Sequence, residues 1–485
     1  GMPLRPPFVV GDASVPLYYY YSLTAAALGS IPPLSHVTGF VILAVTVGIF
    51  HTFILYLLGT MLLGPKGGRY AAFFGFLVGG FEILPHLVLW WQGIQPPTAD
   101  AWTRHFFHQM TLSGQGSRPF PTSMPYILFL WGPPHGFAVT LYLALLVVLF
   151  SRLGMKYKLL LGSLLVASIL GHSAYVGMGV VLSLGLWGLY KFVKRREIDL
   201  SWKILLAGIS LSIGQLYIMS LRSADSGGIT LALYTLKVLK NLPLPINLLL
   251  TYPFGYIIGF GLGLFLAFAT IMRLAKQNLL SEEWSLISLS FLVIAPQIGF
   301  VMSTFASRAN DYALRISGIA WAMQALLASW WFTHEMPRAR KVVKAVLVVG
   351  LLLGLSSTLL ELYLRMPIRY PIDEAGLEML GVIRRETGKK AVVVVDPLEI
   401  APWVGYFSGR RTVADWTLEA ASSQEKVTEA FEWRDALVSA WSPEQVRALS
   451  PWKGAQPLYL LLKKDRGAPG LEGVDMTEWA KEGVE

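Results

Sequence analysis

The chain has 485 residues, 54% hydrophobic and only 14% charged, with a net charge of +10 at pH 7 and no cysteine. Soluble domains carry roughly a quarter charged residues, so an ordinary soluble protein is excluded over most of this length, and the lack of cysteine excludes disulfides and thiolate metal sites. The Lys and Arg residues stand in short clusters between apolar runs, which argues for a membrane and against nucleic acid as a partner.

Residues 1–35 show no basic stretch followed by the apolar core of a signal peptide. The run SVPLYYYYSLTAAALGSI (14–31) is short and tyrosine-rich, and predicts a helix at the membrane interface, where Tyr is favoured. Ten apolar segments follow and predict spanning helices at 36–64, 69–92, 134–151, 158–172, 173–192, 202–222, 246–273, 284–307, 311–333 and 341–364. The expected fold is an α-helical polytopic membrane protein of about ten transmembrane helices. A transmembrane domain occupies 36–364, and a small C-terminal α/β domain occupies 370–485.

Orientation follows from charge. Lys66 and Arg69 follow the first span, and Arg152, Lys156 and Lys158 the third. Lys191, Lys194, Arg195, Arg196 and Lys203 follow the fifth, Arg273 and Lys276 the seventh, and Arg338, Arg340, Lys341 and Lys344 the ninth. Every second loop is therefore cytoplasmic by the positive-inside rule, and both ends of the chain face outward. The same rule splits 158–192 into two short helices turning near Gly171-His172, because one long helix would invert everything downstream. An external N-terminus without a signal predicts at least one preceding transmembrane helix. Gly255, Gly259 and Gly263, and likewise Gly75 and Gly79, have the four-residue spacing of close helix packing. Pro85 and Pro296 are expected to kink their spans.

Beyond Ile372 the pattern becomes that of a soluble fold. AVVVVD (391–396), RTVAD (411–415) and PLYLLLKK (457–464) predict strands alternating with helices, hence a small parallel sheet. No glycine-rich phosphate loop follows the first strand, so no nucleotide site is expected.

Ionisable groups inside a span are costly and point to function. Glu82 and His86 lie one turn apart in the second span, a spacing that suits a metal, a proton relay or a structural pair. His36, His86, His105, His108, His135 and His172 all fall at or near the outer side, which suggests a polar cavity there. His135, in WGPPHGF, sits at the mouth of the third span. The loop 93–133 carries Trp102, Phe106, Phe107 and Phe120, which suit a sugar or lipid ligand or an interfacial anchor. In SRANDYALR (307–315), Asn310 and Asp311 can cap the ninth span, and Arg315 follows on the face of Asp311. That places Arg315 either in an ion pair or at a lipid phosphate.

Four segments give the chain a resemblance to a known family: GDASVPLYYYYSLTAAAL (11–28), WGPPHGFAVTLYLALLVVL (131–149), NDYALR (310–315), and a tail with AVVVVDP (391–397) and YFSGRR (406–411). It resembles the GT-C class of membrane glycosyltransferases, similar to polyprenyl-phosphate-mannose-type protein glycosyltransferases of prokaryotes. The resemblance implies transfer of a sugar from a polyprenyl-phosphate-linked donor to an acceptor on the outer face of the cytoplasmic membrane, with membrane lipid and that donor as partners. It implies an acidic catalytic base or metal ligand in a first external loop, which would precede Gly1; Asp12 is the only carboxylate near that position. No cofactor is fixed by it, a divalent cation being the candidate. By the same resemblance Arg315 would hold the phosphate, while Glu82, His86, His135, Asn310 and Asp311 would line the substrate cavity. A transporter or flippase of lipid-linked sugars, an O-antigen-type polymerase or ligase, and a non-catalytic scaffold remain alternatives.

Overall fold

The computed structural model describes chiefly residues 36–81, 133–223, 230–233, 242–298, 300–303, 311–365, 374–388 and 391–395, with isolated residues and short strands elsewhere. The described part is mostly helical. In chain order it comprises α1 (His36–Phe76), α2 (Pro133–Phe150), α3 (Met155–His172), α4 (Ala174–Arg195), α5 (Leu200–Ser223), β1 (Thr230–Leu233), α6 (Leu244–Lys276), α7 (Glu282–Ile298), β2 (Phe300–Ser303), α8 (Asp311–His334), α9 (Lys341–Arg365), α10 (Glu374–Glu386), β3 (Val392–Val395), β4 (Arg411–Thr412) and β5 (Leu458–Leu461).

Among the described residues four helical stretches are long and apolar enough to cross a membrane: Val41–Phe76, Ala174–Arg195, Pro245–Lys276 and Lys341–Leu360. Their outward faces are apolar. On α9, Val342, Val346, Val349, Leu352 and Leu359 are all exposed, an arrangement that water would oppose and hydrocarbon favours. The protein is an integral membrane protein. These four stretches do not by themselves establish the ten spans expected from hydropathy, and the described residues show how several of the expected segments fold.

The first two expected spans, 36–64 and 69–92, meet at a helical reversal. α1 is a single run by hydrogen bonding, but Gly64 interrupts it at φ 76°, ψ 178°. The arms 36–63 and 65–76 then fold back on each other. A Cβ placed on Gly59 would lie 2.7 Å from Ala71 Cβ, and one on Gly75 would lie 2.3 Å from Leu55 Cδ1. Lys66 and Arg69 occupy the turn region and are exposed. The close approach of the arms needs glycine on both sides.

The second of these segments then unwinds. The segment read as a span over 69–92 leaves the helix at Phe76 and is non-helical from 78 to 81, through Gly79-Gly80. Gly79 is therefore not part of a helix-packing stripe with Gly75. Backbone amides exposed in hydrocarbon must find partners, and these do. Gly79 N donates to Thr358 Oγ1 (3.0 Å), and Ile83 N to Ser357 Oγ (2.9 Å). Gly79 N also reaches Gly354 O (3.3 Å), and Phe81 N donates to Ile258 O at 2.6 Å. The unwound chain is thereby sealed between α6 and α9. α6 is itself broken where it is crossed, at Gly261 (φ 58°, ψ −141°), which is what frees the Ile258 carbonyl.

Another expected segment stops early as helix. The segment read as a span over 284–307 ends as helix at Ile298 and continues as β2, which pairs antiparallel with β1 in the register Thr230↔Ser303 to Leu233↔Phe300. By contrast, 158–192 is split at Ser173, whose extended backbone (φ −158°, ψ 108°) separates α3 from α4. In the tail, β3 pairs in parallel with β4 and β5, in the order β4-β3-β5. All three strands fall inside the segments with strand-like patterning.

The main core gathers around α8. Ile316, Ile319, Trp321, Met323, Leu326 and Leu327 are buried among residues of α1, α2, α4, α6 and α7. α8 is apolar on nearly all sides, as a central helix must be.

Candidate functional site

At the end of the bundle away from the Lys191 cluster, three helices begin close together. Pro133 and Pro134 open α2, where a missing amide proton and a fixed φ cost nothing. His135 lies in that first turn and is buried, 3% exposed. Ser173 caps α4, its hydroxyl accepting from Val176 N at 3.2 Å. His135 Nδ1 and Ser173 Oγ share a hydrogen bond of 2.7 Å. Arg315, one turn into α8, sets its guanidinium over the ring of Tyr175, 5.0 Å from the centroid. Tyr175 stands two residues beyond Ser173, so Arg315 and His135 are both held at the start of α4. His172, at the end of α3, packs edge-on against Phe137 of α2 at 4.4 Å between ring centres. α1 closes the back of the cluster, with Leu43 and Val47 against Phe137.

The arrangement favours an anion. Helix N-termini carry partial positive charge, and the starts of α4 and α8 lie beside one guanidinium, although the prolines of α2 bring no amide protons and Ser173 already takes the Val176 amide of α4. α3 presents its opposite pole there, and His172 occupies that last turn.

Of the residues singled out from sequence, the structure brings His135 and Arg315 into one cluster. Asp311 is the first residue of α8, and its side chain lies outside the described residues, as do Asp12, Glu82, His86 and Asn310 and the loop 93–133. Ser173 and Tyr175 were not among the candidates. A polar residue placed between two short helices is a capping signal that could have found Ser173; Tyr175 meets Arg315 only through the tertiary fold.

A second buried histidine, His51, sits mid-span in α1 with Nδ1 3.1 Å from Thr140 Oγ1. Thr140 spends its own proton on Gly136 O (2.8 Å), so its oxygen accepts and His51 carries hydrogen on Nδ1. Tyr142 OH and Ser290 Oγ pair at 2.8 Å between α2 and α7. These bonds tie helices together.

The other end of the bundle holds an ion-pair network at the ends of α4 and α7 and in the turn between α4 and α5. Lys191 Nζ binds Glu282 (2.6 Å) and Asp199 (3.1 Å), and Arg195 binds Glu282 (2.6 Å). The Lys191 hydrogen bond holds the Glu282 carboxyl below its ordinary range. Burial pushes Asp199 up, but the Ser201 and Lys191 hydrogen bonds outweigh it and leave Asp199 lowered. Among the described residues no group of three or more His, Cys, Asp or Glu could hold a metal ion.

No family model matches the sequence, and no curated protein matches it. Among solved structures the chain is similar to the oligosaccharyltransferase of Archaeoglobus fulgidus in its apo form. Identity is 10% and the TM-score 0.47, covering 91% of this chain and 61% of that one. It is also similar to the archaeal oligosaccharyltransferase AglB from Archaeoglobus fulgidus in complex with an inhibitory peptide and a dolichol-phosphate, at 12% identity and a TM-score of 0.40, covering 92% and 62%. A third similar structure is the Archaeoglobus fulgidus oligosaccharyltransferase in complex with Zn and sulfate, at 13% identity and a TM-score of 0.38, covering 92% and 60%. The chain spans about three fifths of the length of these structures.

Proposed function

We propose that this protein is a membrane glycosyltransferase-like enzyme that moves a sugar from a polyprenyl-phosphate-linked donor to an acceptor at the outer face of a prokaryotic cytoplasmic membrane. The observation that supports this reading is the meeting of the starts of α2, α4 and α8 around His135 and Arg315. In this reading Arg315 and the amide ends hold the lipid phosphate and stabilise the charge that grows on it as the sugar leaves. Tyr175 keeps the guanidinium in place, and His135, anchored by Ser173, lines the cavity. Glu82, His86, Asn310 and Asp311 belong to the same proposed cavity. A base must take the acceptor hydroxyl proton; Asp12, the one candidate in this chain, lies outside the described residues. A divalent cation would suit a diphosphate or phosphate leaving group. The external segment 1–35, the transmembrane domain 36–364 and an outward-facing α/β domain 370–485 complete the proposal.

The test is ligand retention by the purified protein in lipid nanodiscs, read by native mass spectrometry. Undecaprenyl phosphate is expected to bind at least tenfold more tightly than undecaprenol, and Arg315→Gln is expected to abolish the difference. Equal retention of the two lipids by the wild type would overturn the reading. The transporter alternative draws on one observation of its own, the two broken segments that cross at Gly79-Gly80 and Gly261. Translocation of a fluorescent lipid-linked sugar across vesicles, without sugar transfer, would favour it.

A further inference from the structure

The face of α8 opposite Arg315 carries a second polar locus, independent of the proposed donor site. Gln324 follows Arg315 by nine residues, half a turn round the helix and roughly 13 Å deeper at 1.5 Å per residue. Its amide covers the glycine-rich break in α6. Nε2 donates to Phe260 O at 3.2 Å, a carbonyl released by the positive φ of Gly261. Gly263 leaves the space for it, since a Cβ there would fall 1.9 Å from Gln324 Nε2. This leaves Oε1 buried with no hydrogen-bond partner among the described residues. One turn earlier on α8, the indole Nε1 of Trp321 is likewise buried without a partner. Gln324 is 4% exposed and Trp321 1%. Both side chains converge on one residue, because the Trp321 ring packs on the Phe260 ring at 5.2 Å.

One orphan is a donor and the other an acceptor, on side chains three residues apart, which are neighbours on a helix surface. Leaving either unpaired in an apolar interior is expensive. A cation would be repelled by the indole N–H dipole and would find one neutral oxygen. An anion would face that oxygen. A hydroxyl group satisfies both, accepting from Trp321 and donating to Gln324.

We propose that Trp321 Nε1 and Gln324 Oε1 hold one ordered water between them against Phe260, making the break in α6 a hydrated site within the membrane domain. The water joins α8 to the crossing of the unwound segment with α6, and so supports the non-helical backbone there.

The experiment is a double-mutant cycle on the full chain in detergent, reading thermal unfolding of Trp321→Phe, Gln324→Met and the double variant. Each single variant is expected to lower Tm by about 1–3 °C, since it strands the other polar atom, and the double variant to recover most of one of those losses. Singles that each raise Tm, or losses that simply add, overturn the proposal. Sodium-dependent stabilisation, absent in choline chloride and lost in Gln324→Met, overturns it in favour of a cation. Should either single variant fail to fold, a density map of the unaltered protein at a resolution that shows ordered water decides: a peak within hydrogen-bond reach of both atoms supports it, and its absence refutes it.

Discussion

Replacing Gly261 by alanine would strike the point where two broken segments cross. The residue holds φ 58° and ψ −141°, a conformation that L side chains rarely adopt. Holding alanine there costs about 1–3 kcal/mol. The new Cβ would also lie 2.9 Å from Gly80 Cα, 3.0 Å from Gly80 C and 3.1 Å from Gly79 O, all backbone atoms that cannot rotate away. Overpacking of this kind adds about 1–3 kcal/mol, for a total of about 2–6 kcal/mol. With an unfolding entropy of roughly 2.1 cal/mol/K per residue, Tm should fall by about 2–6 °C. Fluorescence-detected size exclusion after graded heating in detergent measures it. Gly48→Ala in α1 is the control: a Cβ there meets no atom within 4 Å, so the helix should gain about 0.5–1 kcal/mol. If the two variants shift Tm alike, the crossing of unwound segments is not what holds this region together.

Further outcomes follow from other contacts. Tyr175→Leu removes the ring beneath Arg315 and should weaken undecaprenyl phosphate retention by about 0.5–2 kcal/mol without disturbing undecaprenol; an unchanged ratio would separate Tyr175 from the anion site. Thr140→Val deletes the partner of His51 and should cost about 0.6–1.7 kcal/mol by thermal unfolding, the range for hydrogen bonds between spans. Glu282 and Asp199 are both lowered, so their contribution is complete above the ordinary carboxylate range and is lost as pH falls below about 4 toward their depressed folded values. Glu282→Gln should flatten the Tm-against-pH curve in that acid window and leave its slope above pH 6 unchanged.

Much of the architecture could be read from the chain because lipid imposes simple rules. Length and apolarity located the helices, and Lys66, Arg69 and the cluster Lys191 to Arg196 marked one end of the bundle. The split between α3 and α4 was legible for the same reason, since only two helices keep those charges on one side. The three short strands of the tail announced themselves by runs such as AVVVVD. His135 stood out because two prolines place it at the mouth of a span, and Arg315 because it follows the capping pair Asn310-Asp311 by one turn.

What hydropathy could not show was how the apolar runs behave once packed. Gly79-Gly80 unwinds the continuation of α1 and Gly261 breaks α6, yet both sit in apolar stretches that read as continuous helix; the reversal at Gly64, by contrast, falls where the first expected span ends. Whether such a glycine bends or breaks a helix depends on partners for the freed amides, and those come from Ser357, Thr358 and Ile258, far away in sequence. The same holds for the site. Sequence named His135 and Arg315 singly, but only the packing of α2, α4 and α8 brought them beside Ser173 and Tyr175, because proximity between helices is set by side-chain fit and not by spacing along the chain.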